Sequence, residues 1–584
     1  MEQTPVAKDG AQSRRSFLSY FSGIGLSSTL MPGLLWGCIQ EAEEQEVTLA
    51  MTRTAAQVAG LDFSDEELQL IVEGVNQSLD RFEEIRAIPL ENAVMPPLHF
   101  IPLVSGMEFE RVEGSLGLGA RPPVTRPADL EDAAFWSVTD LAQLIESRQV
   151  RPSELTEMYI SRLKRYNPTL NCVVTLTESR ARTLAEQADA EIAEGGYRGP
   201  LHGIPWGAKD IISARGYPTT WGAAPFENQS FDVDATVVER LDEAGAILVA
   251  KLTTGELAFG DNWFGGRTNN PWDPEQGSSG SSAGSGAATA AGLVGFAIGT
   301  DTGGSILSPA VRCGVVGLRP TFGRVSRYGV MAAGYSLDKI GPMCRSVEDC
   351  VLVFNAIYGP DGRDDGVADV PFSWSSGFDP TRLRVGYIET EFERDPRNQR
   401  FRQERSAEGQ LSALRVALND LRNAGVNLEP IKLPQFPAEA LRLILEAEAA
   451  AAFDDLTRNR GIDLLTEQGA DAWPNSFRSS RLIPAVEYIR AQRARTLLAR
   501  EMDEVMSQVD LFLSPARSAS LTMTNLTGHP ALAMKAGFSD GLPVALMMTG
   551  RLYDEETMLH VARVYERVTG WHTMHPMLDT LRAF

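Results

Sequence analysis

The chain has 584 residues, 43% hydrophobic and 22% charged, the balance of a globular protein able to bury a large core. Lys and Arg number 54 against 77 Asp and Glu, a net charge of −23. That charge repels phosphate backbones and, with no long basic run to offset it, argues against a nucleic-acid partner.

Residues 1–40 read as a targeting segment. Ser13-Arg14-Arg15-Ser16-Phe17-Leu18 opens an uncharged stretch to Gln40 and resembles a twin-arginine export signal. Gly23, Gly25, Pro32 and Gly33 interrupt any helix there, which argues against a buried helix and a stable membrane span. Leu34-Leu35-Trp36-Gly37-Cys38 resembles a lipoprotein cleavage box, with Cys38 as the acylated residue of a lipid anchor, although Trp36 stands where a small residue is usual. A periplasmic or membrane-anchored location is expected.

Residues 41–132 are expected to form an N-terminal extension without chemistry. Leu68, Ile71, Val72, Val75, Leu79, Phe82 and Ile85 mark an amphipathic helix, opened by a Ser64/Glu67 capping box. From Phe135 the pattern becomes mixed. Helices are predicted at Asp140–Arg148, Ser153–Tyr166 and Glu178–Ala193. Apolar strands are predicted at Cys172–Leu176, Ile204–Ala208, Ala246–Ala250, Val294–Ile298 and Leu383–Ile388. Long helices follow at Arg402–Ala424, Ala438–Arg458 and Pro484–Gln508, then strands at Leu511–Leu513 and Val544–Met548 and a helix at Glu555–Val568. The fold class is α/β, a mixed central sheet surrounded by helices in one catalytic domain over 133–584. Cys172, Cys313, Cys344 and Cys350 show no CxxC pairing and no metal spacing with the six histidines, so neither a metal nor another cofactor is expected.

Two Gly-rich stretches carry the chemistry. Gly277-Ser278-Ser279-Gly280-Ser281-Ser282-Ala283-Gly284-Ser285-Gly286 has the composition of a flexible linker. It runs, however, into a small-residue helix, an apolar strand at Leu293–Ile298, and Gly299-Thr300-Asp301-Thr302-Gly303-Gly304-Ser305. Gly303 and Gly304 let successive N–H groups converge into an anion-binding nest. A serine at its end can attack a carbonyl while the nest receives the oxyanion. Such a serine needs a base. Of the histidines only His202 lies in a motif-like stretch, Gly199–Asp210, where Lys209 ends an apolar strand. Lys209 is either a surface cap or a buried amine whose lowered pKa lets it act as a base.

Gly203–Asp210, Gly280–Gly286 and Gly299–Pro309 resemble the three core motifs of the amidase signature family. The likeness runs from near Trp136 to near Trp571 and takes in Asn270-Pro271-Trp272-Asp273, Cys313–Thr321, Ser336–Asp349 and Asn525–Ala531. It implies a Ser–Ser–Lys triad: Lys209 as general base, Ser281 as the bridging serine after a cis Gly280–Ser281 peptide, and Ser305 as nucleophile. It further implies an oxyanion hole from the N–H groups of Thr302, Gly303, Gly304 and Ser305, with Ser282 and Asp301 in support. The activity implied is cleavage of the C–N bond of a small-molecule amide through an acyl-enzyme. One departure stands beside the nucleophile. The family's arginine after Gly-Gly-Ser-Ile, which pairs with the acid equivalent to Asp301, is Leu307 here, and Arg312 is the expected substitute. A tRNA-dependent amidotransferase subunit shares the motifs, but export and acidity argue against it. A degenerate exported binding protein is the other alternative; retention of the triad argues against it and Leu307 argues for it. The pocket is expected from residues 360–510, with Phe453, Trp473, Phe477 and Tyr488 as candidate lining. The sequence sets no oligomeric state; monomer and homodimer stay open.

Overall fold

Eleven strands form one mixed sheet in this computed structural model. It describes residues 47–578 apart from 59, 62, 70–71, 73, 77–91, scattered residues from 93 to 120, 394–406 and 517. In chain order the strands are β1 (Val173–Leu176), β2 (Pro205–Lys209), β3 (Ile247–Leu252), β4 (Phe296–Asp301), β5 (Val316–Arg319), β6 (Lys339–Cys344), β7 (Arg384–Ile388), β8 (Asn427–Ile431), β9 (Leu511–Pro515), β10 (Ala531–Ser539) and β11 (Leu542–Gly550). Their spatial order is β8-β7-β9-β11-β10-β5-β6-β4-β2-β3-β1.

β2 pairs parallel with both β3 and β4, and every residue of the three is buried. A parallel strand covered on both faces reads as a continuous apolar run, which is why these three stand out in the sequence. β10 and β11 form an antiparallel hairpin across Asp540-Gly541, whose φ of 51° and 77° suit a tight turn. β5, β6, β8 and β10 lie outside the strands expected from the sequence.

The helix Glu178–Ala193 has the expected bounds, and its neighbours lie at Val138–Glu146 and Pro152–Leu170. The single helix expected over Ala438–Arg458 is instead three pieces: a 3-10 turn at Ala438–Arg442 and helices at Leu443–Ala452 and Asp454–Arg458. Phe453 leaves helical geometry (φ −116°) and buries its ring 5.5 Å from Phe477. The Gly/Ser stretch is no linker. Ala283–Ala290 is a helix buried along its whole length, and a Cβ at Gly284 would collide with the backbone of Thr253 and Cys172.

The chain divides into two compact units, Met1–Pro89 and Leu90–Phe584. In the first, Leu49–Val58 is helical and the capping box forms: Ser64 N donates to Glu67 Oε2 (2.7 Å) and Glu67 N to Ser64 Oγ (3.2 Å). Described residues between 65 and 76 are helical; the helix expected to Ile85 otherwise lies outside the described residues, as do Arg14, Arg15 and Cys38. The large unit begins at Leu90, upstream of the boundary expected at 133. Described residues of the 90–132 stretch are built into it: Leu116–Gly117 pairs with Trp374–Ser375, and Arg121 makes an ion pair with Glu348.

Candidate active site

The site lies where parallel strands β2 and β4 end, the usual place for a crevice in an open α/β sheet. β2 delivers Lys209, fully buried, and β4 delivers Thr300 and Asp301. Lys209 Nζ donates to Ser281 Oγ (2.6 Å) and Thr300 Oγ1 (2.8 Å). Burial lowers its pKa to about 7, although Asp301 and Asp338 pull the other way. An amine in this setting is neutral in a large share of molecules at neutral pH. The buried amine is the alternative that the fold adopts; Lys209 is not a surface cap.

Ser281 follows a cis Gly280–Ser281 peptide. Gly280 is required by close approach, since a Cβ there would collide with the Gly260 carbonyl. Ser282 fastens the two Gly-rich segments together. Its Oγ donates to Thr300 O (3.1 Å) and accepts from Thr300 N (3.2 Å), and its N–H donates to Ser305 O (3.1 Å). Ser305 is half-buried and faces a cleft of about 570 Å³ that Gly280, Thr302, Gly303 and Gly304 also line. Among the described residues Ser305 Oγ has no hydrogen-bond partner, so its contact with Ser281 is not closed in this state.

Asp301 shapes the turn after β4. Its carboxylate accepts from Gly304 N (2.8 Å), Ile306 N (2.9 Å) and Leu307 N (3.4 Å). Gly304 (φ +121°) sits in a conformation that favours glycine. One expectation is corrected here. The Gly304 N–H is held by a buried carboxylate that needs donors, so it is not free for an oxyanion. Asp301 takes none of the N–H groups of Thr302, Gly303 and Ser305.

A second correction concerns Leu307. Arg312 does not replace the missing arginine: its guanidinium donates to Gly277 O (3.2 Å) and Gln276 Oε1 (2.5 Å). Arg319, at the end of β5, does reach Asp301 (3.8 Å), and both groups are fully buried. Its Nη2 also donates to Thr524 Oγ1 (2.8 Å) and His529 O (3.1 Å). Leu307 is 1% exposed and packs in the apolar layer with Ile306 and Ala310.

Thr300, Asp338 and Arg319 are site residues that sequence reasoning missed. Asp338 Oδ1 accepts from Thr302 Oγ1 (2.6 Å), and the carboxylate also takes the N–H groups of Ala333 and Gly334. The one available signal was Lys339-Ile340 in apolar surroundings, which marks β6 pairing with β4 at Lys339 and Asp301. Nothing local marks Thr300. His202 is occupied elsewhere, accepting from Arg198 N (3.1 Å) and lying 3.3 Å from Glu191. Of the aromatic candidates, Trp473 lines the cleft, Phe453 and Phe477 are buried core, and Tyr488 OH donates to Glu448 (2.9 Å).

Comparison with known proteins identifies the family and the fold. The sequence profile of the family described as Amidase matches residues 154–524. The chain is 37% identical over 488 residues to a Chloroflexus aurantiacus protein named as a glutamyl-tRNA(Gln) amidotransferase subunit, covering 76% of this chain and 98% of that one. A solved structure of native peptide amidase from Stenotrophomonas maltophilia is 30% identical, with a TM-score of 0.67, over 77% of this chain and 100% of that one. An amidase family protein from Bacillus anthracis superposes with a TM-score of 0.68 at 25% identity, over 76% of this chain and 93% of that one. A serine-bearing Gly-rich turn, a serine after a cis peptide and a buried lysine thus occur in a chain whose profile, sequence relatives and fold agree: it belongs to the amidase family, the amidase signature enzymes that act on C–N bonds.

Proposed function

We propose that this chain hydrolyses a carboxylic amide through an acyl-enzyme on Ser305. Neutral Lys209 accepts the Ser281 hydroxyl proton as Ser281 accepts that of Ser305. Ser305 Oγ bonds to the amide carbon, and the carbonyl oxygen takes up the negative charge beside the N–H groups of Thr302, Gly303 and Ser305. The relay returns the proton to the amide nitrogen, the C–N bond breaks, and the amine leaves. Water then adds to the ester, losing its proton to the relay; the acyl C–O bond to Ser305 breaks, the relay returns the proton to Ser305 Oγ, and the acid is released. The observation that carries this reading is the buried Lys209 amine, 2.6 Å from Ser281 Oγ. The open Ser305 contact is consistent with it, since catalytic hydrogen bonds often tighten only when substrate binds.

Ser305→Ala tests the reading. The variant should fold as the wild type and lose both turnover of amides and labelling by a serine-reactive fluorophosphonate. Unchanged labelling or turnover would refute the assignment. A second reading is favoured by the sequence relatives, which are amidotransferase subunits by name. Product analysis separates the two. Hydrolysis by the isolated chain gives free acid and amine, whereas an amidotransferase subunit needs a partner and an acceptor. The net charge of −23 weighs against tRNA as that acceptor. We further propose that the Arg14-Arg15 segment exports the chain and that Cys38 anchors it in the membrane. Fractionation of cells making the full chain, compared with Arg14→Lys/Arg15→Lys and Cys38→Ala variants, tests both steps.

A further inference from the structure

The cleft beside Ser305 carries an aromatic rim that the acyl-transfer chemistry leaves unused. Phe259 is 42% exposed, on a turn where Leu257 and Ala258 adopt φ of 49° and 64°. Side chains are held in left-handed backbone only where the surroundings over-determine them, and such residues cluster at ligand clamps. The surroundings here do hold the turn. Leu257 N donates to Trp221 O (2.9 Å), Gly255 N to Ser281 O (3.3 Å) and Trp473 Nε1 to Leu257 O (3.1 Å). The Gly255–Gly260 turn is therefore tied to the serine loop on one side and to Trp473 on the other.

The Phe259 ring lies 5.2 Å from that of Trp473. Trp473 stacks on Phe477 at 4.9 Å, and Phe477 on Phe453 at 5.5 Å. The rim is thus the open end of a packed aromatic column. Beside it Ala258, Leu337, Leu445 and Leu526 give the cleft an apolar patch, next to uncharged polar groups such as Asn475 and Thr522. The charged lining residues Arg442, Glu446 and Asp471 are all exposed. A pinned aromatic face beside an apolar patch, with the charged groups at the exposed mouth, suits a planar, uncharged ring, which gains stacking energy beyond the area it buries.

We infer that Phe259 and Trp473 form the recognition platform of this cleft, and that the substrate is an uncharged amide bearing an aromatic ring. The inference rests on the amide-cleaving reading for the reaction and on the cleft geometry for the ring. The test uses two matched pairs: phenylacetamide against cyclohexylacetamide, with the ring on the acyl side, and N-benzylacetamide against N-(cyclohexylmethyl)acetamide, with the ring on the amine side. Calorimetric binding to the Ser305→Ala protein is independent of turnover. In at least one pair the phenyl compound should bind roughly fivefold tighter. Phe259→Ala in that background should erase the preference and Phe259→Tyr should keep it. Equal binding within both pairs, no binding of any of the four, or a preference that survives Phe259→Ala overturns the inference. If the preference behaves as expected and the wild type cleaves none of these compounds, the amide-cleaving reading fails while the recognition inference stands.

Discussion

Replacing Lys209 by methionine should stabilise the fold and abolish turnover. In the unfolded chain the amine keeps its proton up to about 10.5, whereas in the folded chain burial lowers the pKa to about 7. Between those values the unfolded chain binds more protons than the folded one, so stability from this group rises with pH across the window. It is lowest at and below pH 7. A gap of about 3.5 units at about 1.4 kcal/mol each puts the penalty at pH 7 near 4 kcal/mol, and at pH 9 near 2 kcal/mol. Methionine fills much of the lysine stem and has no proton to lose. It leaves Ser281 Oγ and Thr300 Oγ1 without their partner, which costs about 1–3 kcal/mol in total. The variant should therefore be about 1–3 kcal/mol more stable than the wild type at pH 7 and close to it at pH 9. The hydroxyl penalty does not titrate, so the difference between the two proteins should shrink by about 2 kcal/mol over that range. Urea unfolding at both pH values measures it. An unchanged difference would refute the buried neutral amine, and residual turnover near the wild-type rate would refute its role as base.

Further outcomes follow from the same geometry. The kcat/KM of the wild type should rise with pH through about 7 as Lys209 loses its proton; a flat profile between pH 6 and 8 would contradict this base. Asp301→Asn should lower kcat roughly 100-fold or more, because it places an NH2 group among donors that need an acceptor and leaves Arg319 without its counter-charge; steady-state kinetics with a folding check reads it. Arg319→Met should impair activity and stability together, whereas Arg312→Ala should change kcat by less than about threefold, since the Arg312 guanidinium hydrogen-bonds Gln276 and Gly277 in the preceding loop. Gly280→Ala should destabilise by about 1–3 kcal/mol or prevent folding, because its Cβ meets the Gly260 carbonyl; thermal unfolding measures it.

Much of this site was readable because its chemistry is concentrated in two short stretches. The apolar runs that became β2, β3 and β4 and the Gly-rich turn at Ser305 announce themselves through composition. The family resemblance supplied Ser281 and Lys209, which local pattern alone left as a linker residue and a strand cap. What stayed hidden depends on packing between distant segments. Thr300 is an ordinary strand residue until β2 brings Lys209 beside it. Phe259 lies in a Gly-flanked segment, and only the turn held by Trp221 and Trp473 aims it at the cleft. β10 escaped detection because its pattern, Ala531–Ser539, carries a lysine and small residues and is defined by its hairpin partner. The break at Phe453 was equally unreadable, since helix propensity favours continuity and the ring's place in the core overrides it.

Leu307 shows how a buried charge can move without leaving a site. Asp301 is fixed by three N–H groups, and a nearby cation adds to their hold on the turn. A short apolar side chain at 307 removes one source and lets the helix start bury against Ile306 and Ala310. The cation instead comes from β5, two strands away across β6, where Arg319 is anchored by Thr524 and His529. At 3.8 Å the Arg319 guanidinium acts on Asp301 through charge rather than through a short hydrogen bond. Leu307 therefore does not leave Asp301 without a nearby cation. The charge beside Asp301 is supplied by Arg319, and the Lys209–Ser281 hydrogen bond forms beside the same turn.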